Sequence, residues 1–162
     1  MNQYRQAIEH AIVPEAITFF AVFSRFEFAL KRGGFLLGNV GHPAGPDWAR
    51  FSAALGQNFF DAMKAAPEAH ILFDDPPKKL MVFAADDVRF VKPAKIVSLQ
   101  LLFEAVRLVR NNLFHGEKVL ISQRDRDLMK ASLFVLDAAM EACQHKADCA
   151  RVPYAFMFAQ TG

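Results

Sequence analysis

The 162-residue chain has little sulfur chemistry to work with: two cysteines, Cys143 and Cys149, are too few for a disulfide framework and do not suggest export. It has no large charge excess either. A formal net charge of +2 excludes a basic footprint spread over the whole surface, so any polyanion contact has to be local. Long apolar runs are also missing. The segment "AITFFAVF" is flanked by Glu15 and broken by Arg25 and Glu27, too short to span a bilayer and without the layout of a signal peptide. Repeats and low-complexity tracts are absent, so residues 1–162 are expected to form a single domain in the cytoplasm, with no membrane contact. What the chain has in excess is phenylalanine. Its 17 Phe require large apolar faces to be covered, in part by a second copy of the chain.

Hydrophobic spacing predicts an all-α fold, an up-and-down bundle of four helices. The first opens at Pro14, a residue suited to the first helical position, and stops before Gly33-Gly34. Phe19, Phe23, Phe26 and Leu30 form its apolar stripe, widened by Phe20. The second runs from about Asp47 to Ala66, with Trp48, Phe51, Leu55, Phe59 and Met63 at three- and four-residue steps and Pro67 as the stop. Residues 67–95 interrupt the helical pattern. Two short apolar runs around an Ala-Ala-Asp-Asp centre predict a small hairpin or an irregular excursion. The third helix, about Ala94 to His115, and the fourth, about Ser122 to Lys146, are separated by a short loop and should form a helical hairpin. "SQRD" at 122–125 has the form of a capping box with Asp in the place of Glu. The tail "RVPYAFMFAQTG" is apolar without a period and is expected to dock on the core.

The third helix carries the chemistry. At about 100° per residue, Gln100, Glu104, Arg107, Asn111 and His115 fall in one narrow arc, with Arg110 about 60° beyond Arg107. Around that seam the helix is apolar on nearly every side, so the seam must be paired, wet or lining a cleft. Two readings remain open for its last turn. Asn111, Asn112 and His115 can satisfy the final carbonyls before Gly116, aided by the helix dipole, or they can form a reactive group. Capping needs one turn, whereas the polar arc occupies four.

The run "VRNNLFHGEK", in which Arg110 and a polar Asn111 precede His115 at the end of a long apolar helix, resembles the signature of the HEPN superfamily (higher eukaryotes and prokaryotes nucleotide-binding domain). "FSRFEFALKRGG" is similar to that family's opening helix, and "DDPPKK" to a segment between helices in some members. The resemblance covers roughly residues 14–32 and 94–143, leaving 67–95 and the tail outside it. It implies a helical homodimer and, in many members, a metal-independent endoribonuclease of toxin–antitoxin or antiviral systems, with no cofactor. On that reading His115 is general base or acid, Arg110 clamps the phosphate and Asn111 orients one or the other. Arg107, Asn112 and Lys118 would contact the RNA backbone, although Arg107 could equally pair with Glu104 or Glu27. Glu27, on the Phe-rich face of the first helix, is expected to pair with a motif arginine, because a buried charge without a partner is costly. The alternative is a non-catalytic helical dimer that binds RNA, nucleotide or a protein partner such as a nucleotidyltransferase-type antitoxin.

Other clusters carry less. Cys143, His145, Asp148 and Cys149 lie within seven residues but match no usual zinc spacing, and free thiols are expected. His10, His42 and His70 read as surface histidines. "KRGGFLLGNVG" lacks the strand–loop–helix order and the lysine of a phosphate-cradling loop.

Overall fold

A computed structural model of the protein describes residues 3–114 and 120–158. The chain is mostly helical, with two small antiparallel sheets. In order, the elements are α1 (Gln3–Glu9), α2 (Pro14–Arg32), β1 (Leu36–Leu37), β2 (Gly45–Pro46), α3 (Trp48–Leu55), α4 (Gln57–Ala65), α5 (His70–Asp74), β3 (Lys79–Ala84), β4 (Asp87–Val91), α6 (Leu99–Phe114), α7 (Gln123–Gln144) and α8 (Arg151–Phe158). No helix among the described residues is long and apolar enough to cross a membrane.

Helix α2 follows its sequence signals at both ends. Pro14 opens it, and Gly33 closes it by donating its N–H to the Ala29 carbonyl. A Cβ at Gly33 would sit 2.7 Å from both the Ala29 oxygen and Cγ2 of Val152, so the missing side chain lets α8 approach the end of α2. The expected second helix is two helices. Gly56, at φ 81° and ψ 178°, turns the chain between α3 and α4, a conformation open to glycine and strained for other residues. Periodicity continues across the break because Leu55, Phe59 and Met63 are all buried on the same side. Helix α7 begins with the predicted box: the Ser122 hydroxyl accepts from the Asp125 N–H, and the Asp125 carboxylate accepts from the Ser122 N–H.

The buried residues make one hydrophobic cluster shared by α2, α3, α4, α6, α7 and α8. At its centre the Trp48 ring stacks on Phe26 with an interplanar angle of 3°, while Phe103 lies 5.2 Å from Trp48 and 5.5 Å from Phe51. Burying each such ring stabilises the fold by roughly 1.5–3 kcal/mol, so this aromatic block fixes how α2, α3 and α6 meet. Phe20 does not belong to it. It is 45% exposed and rests on Phe114 at 4.7 Å, because its position on α2 turns toward the end of α6 rather than inward.

The tail docks, as its composition predicts, and it does so as a helix. Arg25 of α2 donates from Nε to the Phe156 carbonyl at 2.8 Å, and Val152 and Ala155 of α8 are buried. Cys143 and Cys149 are free thiols with no exposed surface; burial, and the neighbouring Cys149, push the Cys143 thiol well above its ordinary range. Between the second and third predicted helices the excursion at 67–95 is a hairpin only in part: it opens with the short helix α5, a correction to the expected break in the helical pattern, and the hairpin follows. β3 and β4 pair from Lys79 with Val91 to Val82 with Val88, and a bulge shifts the register before Ala84 meets Asp87.

Candidate functional site

Helix α6 buries only part of its surface. Leu102, Phe103 and Val106 are fully buried and Leu99 and Val109 nearly so, whereas Leu101, Leu108 and Leu113 are half-buried and Phe114 is 45% exposed. The expectation of a helix covered almost all round is therefore corrected: sixteen residues present one face to the core, and the opposite side is open. On that open side lies the polar seam. Gln100 and Arg107 are exposed, and Glu104, Asn111 and Asn112 are half-buried.

A cleft of about 430 Å³ runs along this seam. Its floor is Leu101, Ala105 and Leu108 of α6, and Glu104, Arg107, Asn111 and Asn112 bring polar groups to it. A second wall comes from the segment before and within β3, including Pro76, Pro77 and Lys79, and Pro93 and Ile96 complete the lining. Thus one of the outcomes open to the seam, lining a cleft, is the one the fold adopts. The size falls within the ~300–1,000 Å³ of small-molecule sites, and a mostly apolar lining with a few converging polar groups is their usual chemistry.

The proline wall is held from two sides. Arg124, in the first turn of α7, donates from Nε to the Asp75 carboxylate and from Nη2 to the carbonyls of Asp75 at 3.0 Å and Pro76 at 2.9 Å. From α6, Asn112 donates Nδ2 to the Lys78 carbonyl at 2.9 Å. The hydrogen bond from Arg124 holds the Asp75 carboxyl below its ordinary value. A smaller cavity of about 180 Å³ lies on the other side of Asn112, reaching Lys78, Arg124 and Phe90. Asn112 therefore has a structural task beyond the RNA contact expected of it.

Arg110 sits apart from the cleft lining. Its guanidinium carbon lies 5.6 Å from the Phe23 ring centre and 5.9 Å from that of Phe114, and its Nη1 donates to Asn111 Oδ1 at 3.0 Å. Its Nε is buried without a hydrogen-bond partner among the described residues. A guanidinium stacked between rings with an unused donor is preorganised in orientation yet incompletely satisfied, a state that costs roughly 1–3 kcal/mol unless something accepts from it.

The expected ion pairs are not formed among the described residues: Glu27 and Glu104 have no cation within salt-bridge distance, and Arg107 has no carboxylate. Glu27 is half-buried rather than enclosed, so its charge keeps contact with water and does not demand a partner. Among the described residues, Glu15 of α2 pairs with Arg126 of α7 at 3.2 Å. His115 and Lys118 lie outside the described residues, as does the Gly116 stop. Among the described residues no group of three or more His, Cys, Asp or Glu side chains is placed to hold a metal.

Two contributors to the site went unread in the sequence as such. Arg124 was legible only as the third residue of the capping box, and Lys79 only as part of "DDPPKK". The pairing of a double proline with a distant arginine that fixes its carbonyls leaves no periodic trace. The chain matches no family model, no curated protein and no solved structure.

Proposed function

We propose that the protein is a metal-independent endoribonuclease, HEPN-like in its motif, that cuts RNA by attack of the 2′-hydroxyl in a cleft shared by two copies of the chain. The observation that carries this reading is that the polar arc of α6 lines an open cleft through Glu104, Arg107 and Asn111, with exposed Arg107 and Lys79 at its rim, and that Arg110, outside the lining, is hydrogen-bonded to Asn111. In the reaction a base removes the 2′-hydroxyl proton, the 2′-oxygen bonds to phosphorus, and the 5′-oxygen leaves with a proton from an acid. The products are a 2′,3′-cyclic phosphate and a 5′-hydroxyl. His115 serves as base or acid, and Arg110 uses its guanidinium fork to stabilise the charged phosphorane.

One chain supplies one motif histidine, and a two-fold axis at the end of α6 supplies the second. Exposed Phe20 and Phe114, in tilted ring contact beside the motif, give that interface an apolar centre. The long segments α2, α3 with α4, α6 and α7 would then be the four-helix frame of each subunit. A protein antidote encoded nearby would act by covering the cleft.

A second reading has its own support. Arg110 is engaged by Phe23, Phe114 and Asn111 of its own chain, which suits a structural arginine in a non-catalytic dimer that binds RNA, nucleotide or a protein partner. Incubation of purified protein with single-stranded RNA and excess chelator separates the two. The nuclease reading requires cutting by the native protein and none by His115→Ala, with both eluting as the same dimer. Binding without cutting by the native protein selects the second reading.

A further inference from the structure

We infer that the cleft along α6 is a guanine-recognition site, in which the Glu104 carboxylate accepts from the Watson–Crick edge of an unstacked guanine while Arg107 and Lys79 hold its phosphate. This deepens the ribonuclease reading and rests on it for the substrate class.

Glu104 lies half-buried among Leu101, Ala105 and Leu108, yet no cation or hydrogen-bond donor among the described residues engages it. A carboxylate held against apolar surface gains most from a ligand that brings two donors side by side. Arg107 and Lys79, exposed at the rim of the same cleft, favour a ligand that also carries negative charge. A simple amine satisfies the first demand and fails the second; a free phosphate does the reverse. A nucleotide whose base donates twice satisfies both.

Among the four RNA bases only guanine has adjacent donors on its Watson–Crick edge, the N1–H and the 2-amino group. Adenine and cytosine each pair one donor with a ring-nitrogen acceptor that faces a carboxylate unfavourably. Uracil places its single N–H between two carbonyls. The apolar lining suits a flat ring, since Pro76, Pro93, Leu101 and Leu108 bound a space large enough for a nucleotide. Asn111 adds a donor. Its Oδ1 is taken by Arg110, which leaves the Nδ2 amide for a guanine O6 or N7 acceptor.

Isothermal titration of the purified protein with 5′-GMP, 5′-AMP, 5′-CMP and 5′-UMP tests the inference without requiring turnover. GMP should bind about tenfold more tightly than any of the others, and Glu104→Gln should abolish that preference while leaving AMP affinity within about twofold. Glu104 has no internal partner to lose, so this variant should melt with the native protein; Glu104→Ala provides a second variant of the same prediction. Equal binding of GMP and AMP, or a preference that survives Glu104→Gln, overturns it. RNA cutting by a protein that binds the four nucleotides alike would remove the guanine site and leave the nuclease reading standing. Selective GMP binding by a protein that cuts no RNA would do the opposite.

Discussion

Replacing Arg110 with methionine distinguishes a catalytic guanidinium from a structural one. The substitution keeps an apolar stem between Phe23 and Phe114 and removes the charge. Two contributions to stability are lost: the half-exposed cation–π contacts at 5.6 and 5.9 Å, about 0.5–1 kcal/mol each, and one hydrogen bond to Asn111 of about 0.5–1.5 kcal/mol. One penalty is removed, because the buried Nε has no partner among the described residues and such a donor costs about 1–3 kcal/mol. The terms nearly cancel. Arg110→Met should therefore change stability by no more than about 1 kcal/mol, a shift of roughly 2–4 °C in the melting midpoint of a chain this size. RNA cutting should nevertheless fall by about 10²–10³-fold, the usual consequence of removing one donor from a charged transition state. Circular dichroism melting alongside single-turnover cleavage of a labelled RNA measures both. A variant that melts more than about 10 °C lower would show that Arg110 holds the fold together, and the reasoning would fail at its first step.

Three further substitutions test the fold that supports the site. Gly56→Ala forces a side chain into the φ 81° conformation between α3 and α4 and should cost about 1–3 kcal/mol, read as a lower denaturant midpoint with an unchanged slope. Asp125→Ala removes one half of the α7 capping box and should cost about 1–2 kcal/mol; because the same turn carries Arg124, the proline wall should also loosen, seen as faster amide exchange around Lys78 and Lys79. Asp137→Asn should raise the melting midpoint at neutral pH. Partial desolvation beside α7's apolar face, then repulsion from Glu141, lift the folded-state value of Asp137 above its ordinary 3.8 although its surface is exposed, so the ionised carboxylate slightly weakens the fold above that raised value. The penalty fades as pH falls through it, and melting curves collected from pH 7 to pH 3 should converge for the two proteins.

The sequence was informative where the physics is local. Pro14 and Gly33 bounded α2, the Ser122–Asp125 box started α7, and the Ala-Ala-Asp-Asp centre marked the turn of the β3–β4 hairpin, since each of these depends on residues a few positions apart. The break at Gly56 was hidden because apolar spacing continues through it. In the tail, Pro153 and a lack of period concealed α8, whose place is fixed by Arg25 and the bare Gly33, far away in the chain. The polar arc of α6 was legible from helical geometry, and so was the need for a cleft or partners along it. What covers the arc was not, because Asn112 and Arg124 reach the proline segment from 34 and 48 to 49 residues away.

The central claim is that this arc performs phosphoryl transfer from the RNA's own 2′-oxygen. Analysis of the termini left on a synthetic single-stranded RNA, incubated with the protein in excess chelator, bears on it most directly. Fragments should end in 2′,3′-cyclic phosphate and begin with 5′-hydroxyl, and His115→Ala should produce none. Fragments that begin with 5′-phosphate, or cutting that vanishes with chelator, would contradict the mechanism.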